Sequence, residues 1–456
     1  MALTPAIGLA VWLVGAGSSA PLGPAEASPA VARIVKTAYP DGQVKEAFSV
    51  DAAGNKSGDY TEFYLGGAVK TEAVYRAGVL DGRFTIYHES GKVQVAASYR
   101  MGRRHGGFVE YDGKGVPIRK AGYRDGKLHG AVQDYVNGVL AREQLWDEGI
   151  LLYPKSLEQI AAALPRIMAA EVPGGEAPAA KPARPGTRGR AAQPDPEKAR
   201  DAQRVEAVRL LMCYRFLCDV PYEGMALDRD YNTAAQAGAE LCARLGRIDH
   251  TPPNPGLPEA RYKLGYRGTS HSNLSAGSSM AASVTAFMDD SDPGNIARVG
   301  HRRWLLNPRL LKTGLRAEGS FGALWSMDTS RAEAPDYDFV AYPARGYMPR
   351  KYFSPHYAWS VSLNPAKYAA PAQGSVTVAV FPVDAGFARA GAPLALNFFN
   401  VDGAGFGEGP AIIFRPERLA FAPRSRYRVV ITGVKKRVET AADLEYLVEF
   451  VDLPGK

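Results

Sequence analysis

The chain has 456 residues, more than one ordinary hydrophobic core organises, and at about 150 residues per domain it predicts about three domains. An apolar fraction of 46% excludes a disordered chain. The formal net charge of +8 favours weak contacts with anionic surfaces such as membrane head groups or wall polymers. The sequence has no run of Lys and Arg interleaved with aromatic residues, the pattern that would indicate a nucleic-acid partner.

The chain begins with an apolar run at residues 6–17, which is too short to span a bilayer. Small residues follow it, and Ala25-Glu26-Ala27 offers a small-x-small cleavage site. Residues 1–27 therefore predict a secretory signal peptide, and a secreted, periplasmic or cell-surface location. No Lys or Arg precedes the run, so a buried N-terminal helix remains the alternative.

Residues 36–150 contain an internal repeat of 24 residues, visible as three interlocked series with one period. Each unit holds a short alternating run, a Gly-containing turn and a second short run, which predicts a β-hairpin. Stacked hairpins bury their aromatic residues on one another, so we expect a single-layer β-hairpin repeat solenoid. The tyrosines either pack this core or form a row that stacks on a ligand. The series are Gly58, Gly82, Gly106 and Gly130; Phe63, Tyr87, Tyr111 and Tyr135; and Tyr75, Tyr99 and Tyr123.

Two of these units resemble MORN-repeat variants. They read Leu80-Asp81-Gly82-Arg83-Phe84-x-x-Tyr87 and Leu128-His129-Gly130-Ala131-x-x-x-Tyr135. The resemblance covers the whole array and implies a binding or scaffolding module rather than an enzyme.

Residues 151–198 predict a helix and a linker. The segment 156–170 reads as an amphipathic helix that caps the array, with Pro165 kinking or ending it. Residues 172–196 are rich in Pro, Ala, Gly and Arg, which predicts an extended, mobile tether.

Helical patterning returns in the segment 199–332. Periodicity and capping residues predict helices from about residue 198, over Asn232–Leu245 and over Met280–Met288. His250 follows the second of these helices, and His301 lies in Gly300-His301-Arg302-Arg303-Trp304. Taken alone, each histidine is more typical of a structural residue than of a ligand.

The order of these features resembles the CAP superfamily of cysteine-rich secretory, antigen-5 and pathogenesis-related proteins. The matching features are Tyr214-Arg215, the Ala-rich helix before His250, Ser272-Asn273-Leu274, the helix ending near Asp290, and Gly300-His301. The resemblance implies an α-β-α sandwich whose central cleft is lined by two His and two Glu, and holds zinc in many members.

Carried over residue by residue, that resemblance places His250 and His301 in the cleft, lined also by Ser272 and Asn273. Ser272 stands where the family has a glutamate, and Asp290, or else Asp289, stands near the second. Two His and one Asp can make a weak, open zinc site. We expect no catalytic residue, because no His-Glu-x-x-His segment supplies a general base. The alternative is a metal-assisted hydrolase using His250, His301 and Asp290.

The chain has three cysteines, and an exported protein can form disulfides. Cys218 follows the first central helix and Cys242 lies in the second, so we expect a Cys218–Cys242 disulfide if these helices pack side by side. Cys213–Cys218 is the alternative pair, and it requires the helix to break between them.

Residues 335–456 change to short alternating runs separated by Gly and Pro turns, which predicts a C-terminal antiparallel β-sandwich with a packing or adhesion role. Together the segments predict a multi-domain α+β protein that is exported, non-catalytic, and serves binding or scaffolding. Its expected partner is a protein, a cell-wall component or a lipid. The runs are 375–380, 394–399, 411–414, 427–431 and 447–451.

Overall fold

The computed structural model describes residues 33–174, 196–333, 335–438 and 443–453. The predicted signal peptide and most of the predicted tether lie outside these residues. Two compact units are present among these residues: 33–129 with 133–141 form the first, and 130–132 with the described residues from 142 onward form the second. Within the described ranges, none of the helices combines the length and the apolarity that a bilayer span requires.

The repeat region forms one antiparallel sheet of eleven strands in sequence order, so the predicted hairpins and their successive pairing are confirmed. Its tight turns are left-handed at both central residues, with φ of 46° at Ala77 and 85° at Gly78, the geometry that joins twisted strands. The strands are β1 (Arg33–Ala38), β2 (Val44–Val50), β3 (Lys56–Phe63), β4 (Val69–Arg76), β5 (Val79–Tyr87), β6 (Val93–Arg100), β7 (Arg103–Tyr111), β8 (Pro117–Arg124), β9 (Lys127–Val136), β10 (Val139–Asp147) and β11 (Ile150–Tyr153).

One face of this sheet is packed by alternating large and small side chains. Phe84 lies directly opposite Ala73 on one neighbouring strand and Ala97 on the other. Its ring meets Tyr99 edge-on, with centroids 5.5 Å apart. The pairs Tyr60–Tyr75 and Phe108–Tyr123 repeat that contact in the adjacent units. The tyrosines of the 75, 99, 123 series therefore pack edge-on against aromatic rings within the sheet.

A helix, α1 (Leu157–Ala169), follows the sheet. Ser156 and Gln159 form a reciprocal capping box at its start. The helix continues through Pro165 to Ala169, so Pro165 does not end it. Its apolar face belongs to the core of the second unit and packs on the next helix.

The central segment has five helices among its described residues and two small sheets. One sheet pairs β12 with β14, and the other has the order β13-β16-β15. Helix α3 ends at the left-handed Gly246, as predicted, but it begins after the N-cap Asp228, ahead of the predicted start at Asn232. The elements are α2 (Pro196–Leu217), β12 (Ala226–Leu227), α3 (Arg229–Leu245), α4 (Glu259–Ser270), β13 (Ser272–Ala276), α5 (Met280–Asp289), α6 (Gly300–Leu305), β14 (Lys312–Thr313), β15 (Leu315–Glu318) and β16 (Phe321–Trp325).

These helices pack in two separate groups. Helix α3 packs on α4 and on β15 and β16, and α2 packs on α1 and α5. Helix α4 was not predicted, because its apolar residues do not follow a helical stripe and Gly265 and Gly268 interrupt it. Those glycines permit close contact: a Cβ on Gly268 would lie 1.9 Å from the carbonyl oxygen of Ala234.

The predicted tether begins as packed chain. Val172 is buried, and the amide of Leu227 donates to the carbonyl of Pro173. A Cβ on Gly174 would collide with the Leu227 carbonyl, so residues 172–174 lie against β12. The expectation of an extended, mobile segment is therefore wrong for these three residues.

The C-terminal segment forms two four-stranded sheets with orders β17-β19-β22-β21 and β18-β24-β23-β20. All their pairings are antiparallel except β18 with β24, which is parallel. Trp359 of the first sheet meets Tyr427 and Phe450 of the second edge-on, so the two sheets share one core. The strands are β17 (Phe339–Tyr342), β18 (Gly346–Pro349), β19 (Trp359–Leu363), β20 (Thr377–Pro382), β21 (Leu396–Asp402), β22 (Ala411–Pro416), β23 (Arg426–Thr432) and β24 (Leu444–Val451).

Candidate functional site

The structure brings His250, His301 and Asp290 together from three separate elements, and Asn273 contacts the backbone of His301. His250 lies in the loop between α3 and α4, and Ser272 begins β13. Asp290 is the left-handed cap at the end of α5, and His301 lies in the first turn of α6. The imidazole centroids of His250 and His301 are 6.4 Å apart, with ring planes tilted by 32°.

The best-defined contact of the site joins His301 to Asp290. The Nδ1 atom of His301 lies 2.8 Å from Oδ1 of Asp290, whose side chain is 1% exposed. The second carboxylate oxygen accepts from the amide of Arg302 at 3.3 Å. A carboxylate accepts hydrogen bonds, so Nδ1 of His301 carries a proton and Nε2 is left with a lone pair in the neutral ring.

His250 is held in the same way by the backbone. Its Nδ1 atom lies 2.9 Å from the carbonyl oxygen of Thr269, which can only accept, and the Thr269 hydroxyl donates back to the carbonyl of His250. Among the described residues, neither imidazole Nε2 has a hydrogen-bond partner. The ring of Phe287 lies 5.2 Å from that of His301 and gives the site an apolar wall.

Asn273 and Ser272 differ in how their polar atoms are satisfied. Asn273 donates to the carbonyl of His301 at 3.0 Å and accepts from the hydroxyl of Ser326, so it ties β13 to α6. Ser272 is 1% exposed, and its hydroxyl has no hydrogen-bond partner among the described residues. Successive strand residues point to opposite faces, so these two side chains do not share a side of β13.

The site does not fit the zinc ion that the CAP resemblance implies. Zinc sites have four protein ligands when structural, and three protein ligands plus a water when catalytic. In the described part of the chain, no group of three or more His, Cys, Asp or Glu residues is placed to hold a metal ion. Asp290 contacts the Nδ1 of His301, which makes it an orienting partner of a ligand rather than a ligand.

The predicted Cys218–Cys242 disulfide is wrong, and so is the alternative pair with Cys213. All three thiols are free and buried. Cys218 lies in the core shared by α1, α2 and α5, whereas Cys242 lies in a smaller cluster between α3 and the sheet β13-β16-β15. The physical reason is that α2 and α3 pack in different groups, not side by side. Burial raises the pKa of Cys218 to about 12, so this thiol is inert.

Arg302 holds the site in place, a role that sequence reasoning missed. Its guanidinium is fully buried and donates to the carbonyls of Met288 and Asp289 at the end of α5. It also donates to the carbonyl of Ala358 and the hydroxyl of Ser360, at the start of β19. The C-terminal sheet thus fixes the backbone that carries Asp290. An arginine next to His301 was the only signal in the sequence.

Arg303 makes the matching contact on the other side of α6. It donates to Asp402 and to the carbonyls of Ala404 and Gly409, in the loop that joins β21 to β22. In the same loop, the ring of Phe406 lies so close to Gly300 that a Cβ there would come within 2.9 Å of it. Gly300 is therefore a close-approach position beneath this loop.

Comparisons with known proteins do not show a family for this chain. No protein-family model matches the sequence, and no curated protein matches it. Among solved structures, a crystal structure of a mutant of S. aureus TarM in complex with Fondaparinux, alpha-GlcNAc-glycerol and UDP matches with a TM-score of 0.15 and 8% identity. That match covers 30% of this chain and 24% of the other, and a likeness of this size carries no argument.

Proposed function

We propose that this chain is an exported, non-catalytic binding or scaffold protein, built from a MORN-like repeat solenoid, a CAP-like α-β-α domain and a β-sandwich. The observation that carries the proposal is the composition of the cleft. Two imidazoles, His250 and His301, are oriented with their Nε2 atoms unpaired, but no third ligand accompanies them among the described residues. Such a pair can bind a ligand and lacks the donor set of a catalytic metal centre.

The arrangement of helices supports the CAP-like part of the proposal. One group of helices packs on the sheet β13-β16-β15, and α5 of the second group also contacts β15, so helices from both groups contact this sheet. Export is supported by the apolar run at residues 6–17, which lies outside the described residues. The partner class remains a protein, a cell-wall component or a lipid, and a net charge of +8 favours an anionic one.

Zinc calorimetry on the full chain tests the cleft. We expect no tight stoichiometric binding by the wild type and no difference from the His250→Ala/His301→Ala variant. Ser272→Glu restores the carboxylate of the resembled family, and a gain of zinc binding in that variant alone supports a CAP-like cleft that lost its metal. Tight binding by the wild type, lost in the double variant, contradicts the conclusion that the cleft lacks the donor set for zinc.

The alternative, a hydrolase, is favoured by one contact, the hydrogen bond between Asp290 and His301. A buried carboxylate that orients an imidazole is the arrangement of a general base. Peptide and ester substrates offered to the wild type and to His301→Ala decide between the two. Turnover that disappears in His301→Ala overturns the non-catalytic proposal, and equal background rates in both proteins support it.

A further inference from the structure

One edge of the repeat sheet carries a regular series of cations. Three successive turns follow the sequence Tyr-Arg-x-Gly, and the residue after each glycine is Val79, Arg103 or Lys127. All the cations of this series are exposed. We call the set the basic edge; its members are Arg76, Arg100, Arg103, Arg124 and Lys127.

The three turns are stacked in register. The amide of Gly102 donates to the carbonyl of Leu80. The equivalent bond in the next repeat, with donor and acceptor both shifted by 24 residues, runs from the amide of Gly126 to the carbonyl of Arg104. The central residues share one left-handed geometry, with φ of 49° at Met101 and 48° at Asp125. Equivalent residues are two strands apart, so their spacing along the edge is about 10 Å, twice the strand separation.

The positive charge of the array is concentrated at this edge. Residues 33–141 contain sixteen Lys and Arg against twelve Asp and Glu, an excess of four. The basic edge with its two neighbouring acids, Asp81 and Asp125, holds five of these cations against two anions, an excess of three. The remainder of the array is close to neutral.

Two of these cations stand in an unfavourable position. Arg100 and Arg103 are directly opposite in the β6–β7 register, where like charges destabilise a sheet. Arg100 has one acidic neighbour, Asp125, at 2.8 Å. Arg103 and Lys127 have no ion-pair partner in the described ranges. An anion bound along the edge would relieve this repulsion.

We propose that the basic edge binds a linear acidic polysaccharide with one carboxylate per disaccharide. The spacing of about 10 Å between equivalent cations matches the repeat of an extended, β-linked disaccharide. Nucleic acid carries its charges far more densely, and a membrane presents a plane where this edge presents a line. The inference rests on the proposed binding role and names the partner class for the array.

Hyaluronan oligosaccharides of increasing length, titrated into the full chain at low salt, are the probe. We expect affinity to rise from disaccharide to hexasaccharide, because three stacked turns engage three carboxylates in turn. The variant Arg100→Gln/Arg103→Gln/Lys127→Gln should bind the hexasaccharide about tenfold more weakly. The matched variant Arg33→Gln/Lys36→Gln/Lys114→Gln removes the same charge from exposed positions elsewhere and should stay close to the wild type.

Three results overturn the inference: equal weakening in both triple variants, affinity that does not depend on length, or stronger binding to phosphatidylglycerol vesicles than to hyaluronan. Circular dichroism of both variants verifies that they fold. These results do not involve the cleft, so failure here leaves the proposed function standing. Turnover lost in His301→Ala would overturn that function and leave the basic edge untouched.

Discussion

The repeat array and the second unit differ in the sequence distance across which their side chains make contact. In the array, the hydroxyl of Tyr39 donates to the carbonyl of Phe63 and that of Tyr64 to the carbonyl of Tyr87, each about one repeat away. In the second unit, Arg302 reaches Ala358 and Arg303 reaches Gly409, across 56 and 106 residues.

The second unit relies on buried arginines that satisfy backbone carbonyls. Arg215 is fully buried and donates to the carbonyls of Pro221, Leu305, Asn307 and Leu310. Burial lowers the pKa of Arg215 to about 9, so it remains charged at neutral pH. Each such arginine links several segments, so we infer that the second unit unfolds cooperatively. In the array, we infer that a destabilising substitution affects only the neighbouring repeats.

The largest effect that tests this difference is expected for Arg302→Met. The substitution leaves the carbonyls of Met288, Asp289 and Ala358 buried without donors, which should cost about 3–5 kcal/mol of unfolding free energy. Hydrogen exchange measured by mass spectrometry should show a loss of protection across the whole second unit. Strands β2–β7 should keep their protection.

The exposed Arg298 provides the matched control. Arg298→Met should change protection by less than about 0.5 kcal/mol. If Arg302→Met loosened only α5 and α6 and left the C-terminal sheets protected, the arginine would be a local clamp. The comparison between cooperative and local stabilisation would then fail.

The same difference explains what the sequence could predict. The array was predictable because its determinants recur: the turn glycines and the 75, 99, 123 tyrosines repeat at the same interval as the contacts they make. Helices α3 and α5 were predictable from their periodicity and from the caps Gly246 and Ser279, although the N-cap of α3, Asp228, lies ahead of the predicted start. The histidine pair could be proposed from a resemblance, and the structure brings His250 and His301 together.

What could not be predicted depends on contacts between distant segments. The role of Asp290 as the orienting partner of His301 depends on the left-handed cap that ends α5. The cysteine pairing was wrong because sequence periodicity does not say which helices are neighbours. Nothing in the sequence around Arg302 points to Ser360 as its acceptor, since the two residues meet only in the folded core.

The second largest effect is expected in the array, where substitution by Ala should have different effects on stability at two glycines that face each other across β7 and β8. A Cβ on Gly122 would lie 2.3 Å from the carbonyl oxygen of His129, whereas one on Gly107 meets nothing within 4 Å. Gly122→Ala should therefore lower protection of the neighbouring strands by about 2 kcal/mol. Gly107→Ala should be neutral or slightly stabilising. Equal effects of the two substitutions would show that the array lacks this tight contact.

A third effect concerns the buried, unpaired hydroxyl of Ser272. Removing a buried donor that has no partner relieves a desolvation cost, so Ser272→Ala should raise stability by about 1 kcal/mol. Ser283 is the matched control, because its hydroxyl bonds to Ser275 and to the carbonyl of Ser279. Ser283→Ala should lower stability by about 1 kcal/mol. Thermal unfolding measures both, and destabilisation by Ser272→Ala would mean that its hydroxyl is paired.

The smallest effect is a pH dependence confined to the start of the array. The hydrogen bond from Tyr60, 2.8 Å long, holds the pKa of Glu46 below its ordinary value. A carboxyl with a lowered pKa adds stability above that ordinary value, and the contribution disappears as pH falls through the folded-state pKa. Tyr60→Phe should therefore lower protection of β2 and β3 by less than about 1 kcal/mol near neutral pH, since Glu46 is largely solvated.

The difference between wild type and Tyr60→Phe should then shrink as the solution is acidified through the carboxyl range. Tyr75→Phe removes a nearby hydroxyl that does not bond to Glu46, so its effect should not change with pH in this way. Because contacts in the array are local, strands from β6 onward should respond to neither substitution. A pH-dependent change that spread to those strands would mean that the repeats are coupled as tightly as the second unit.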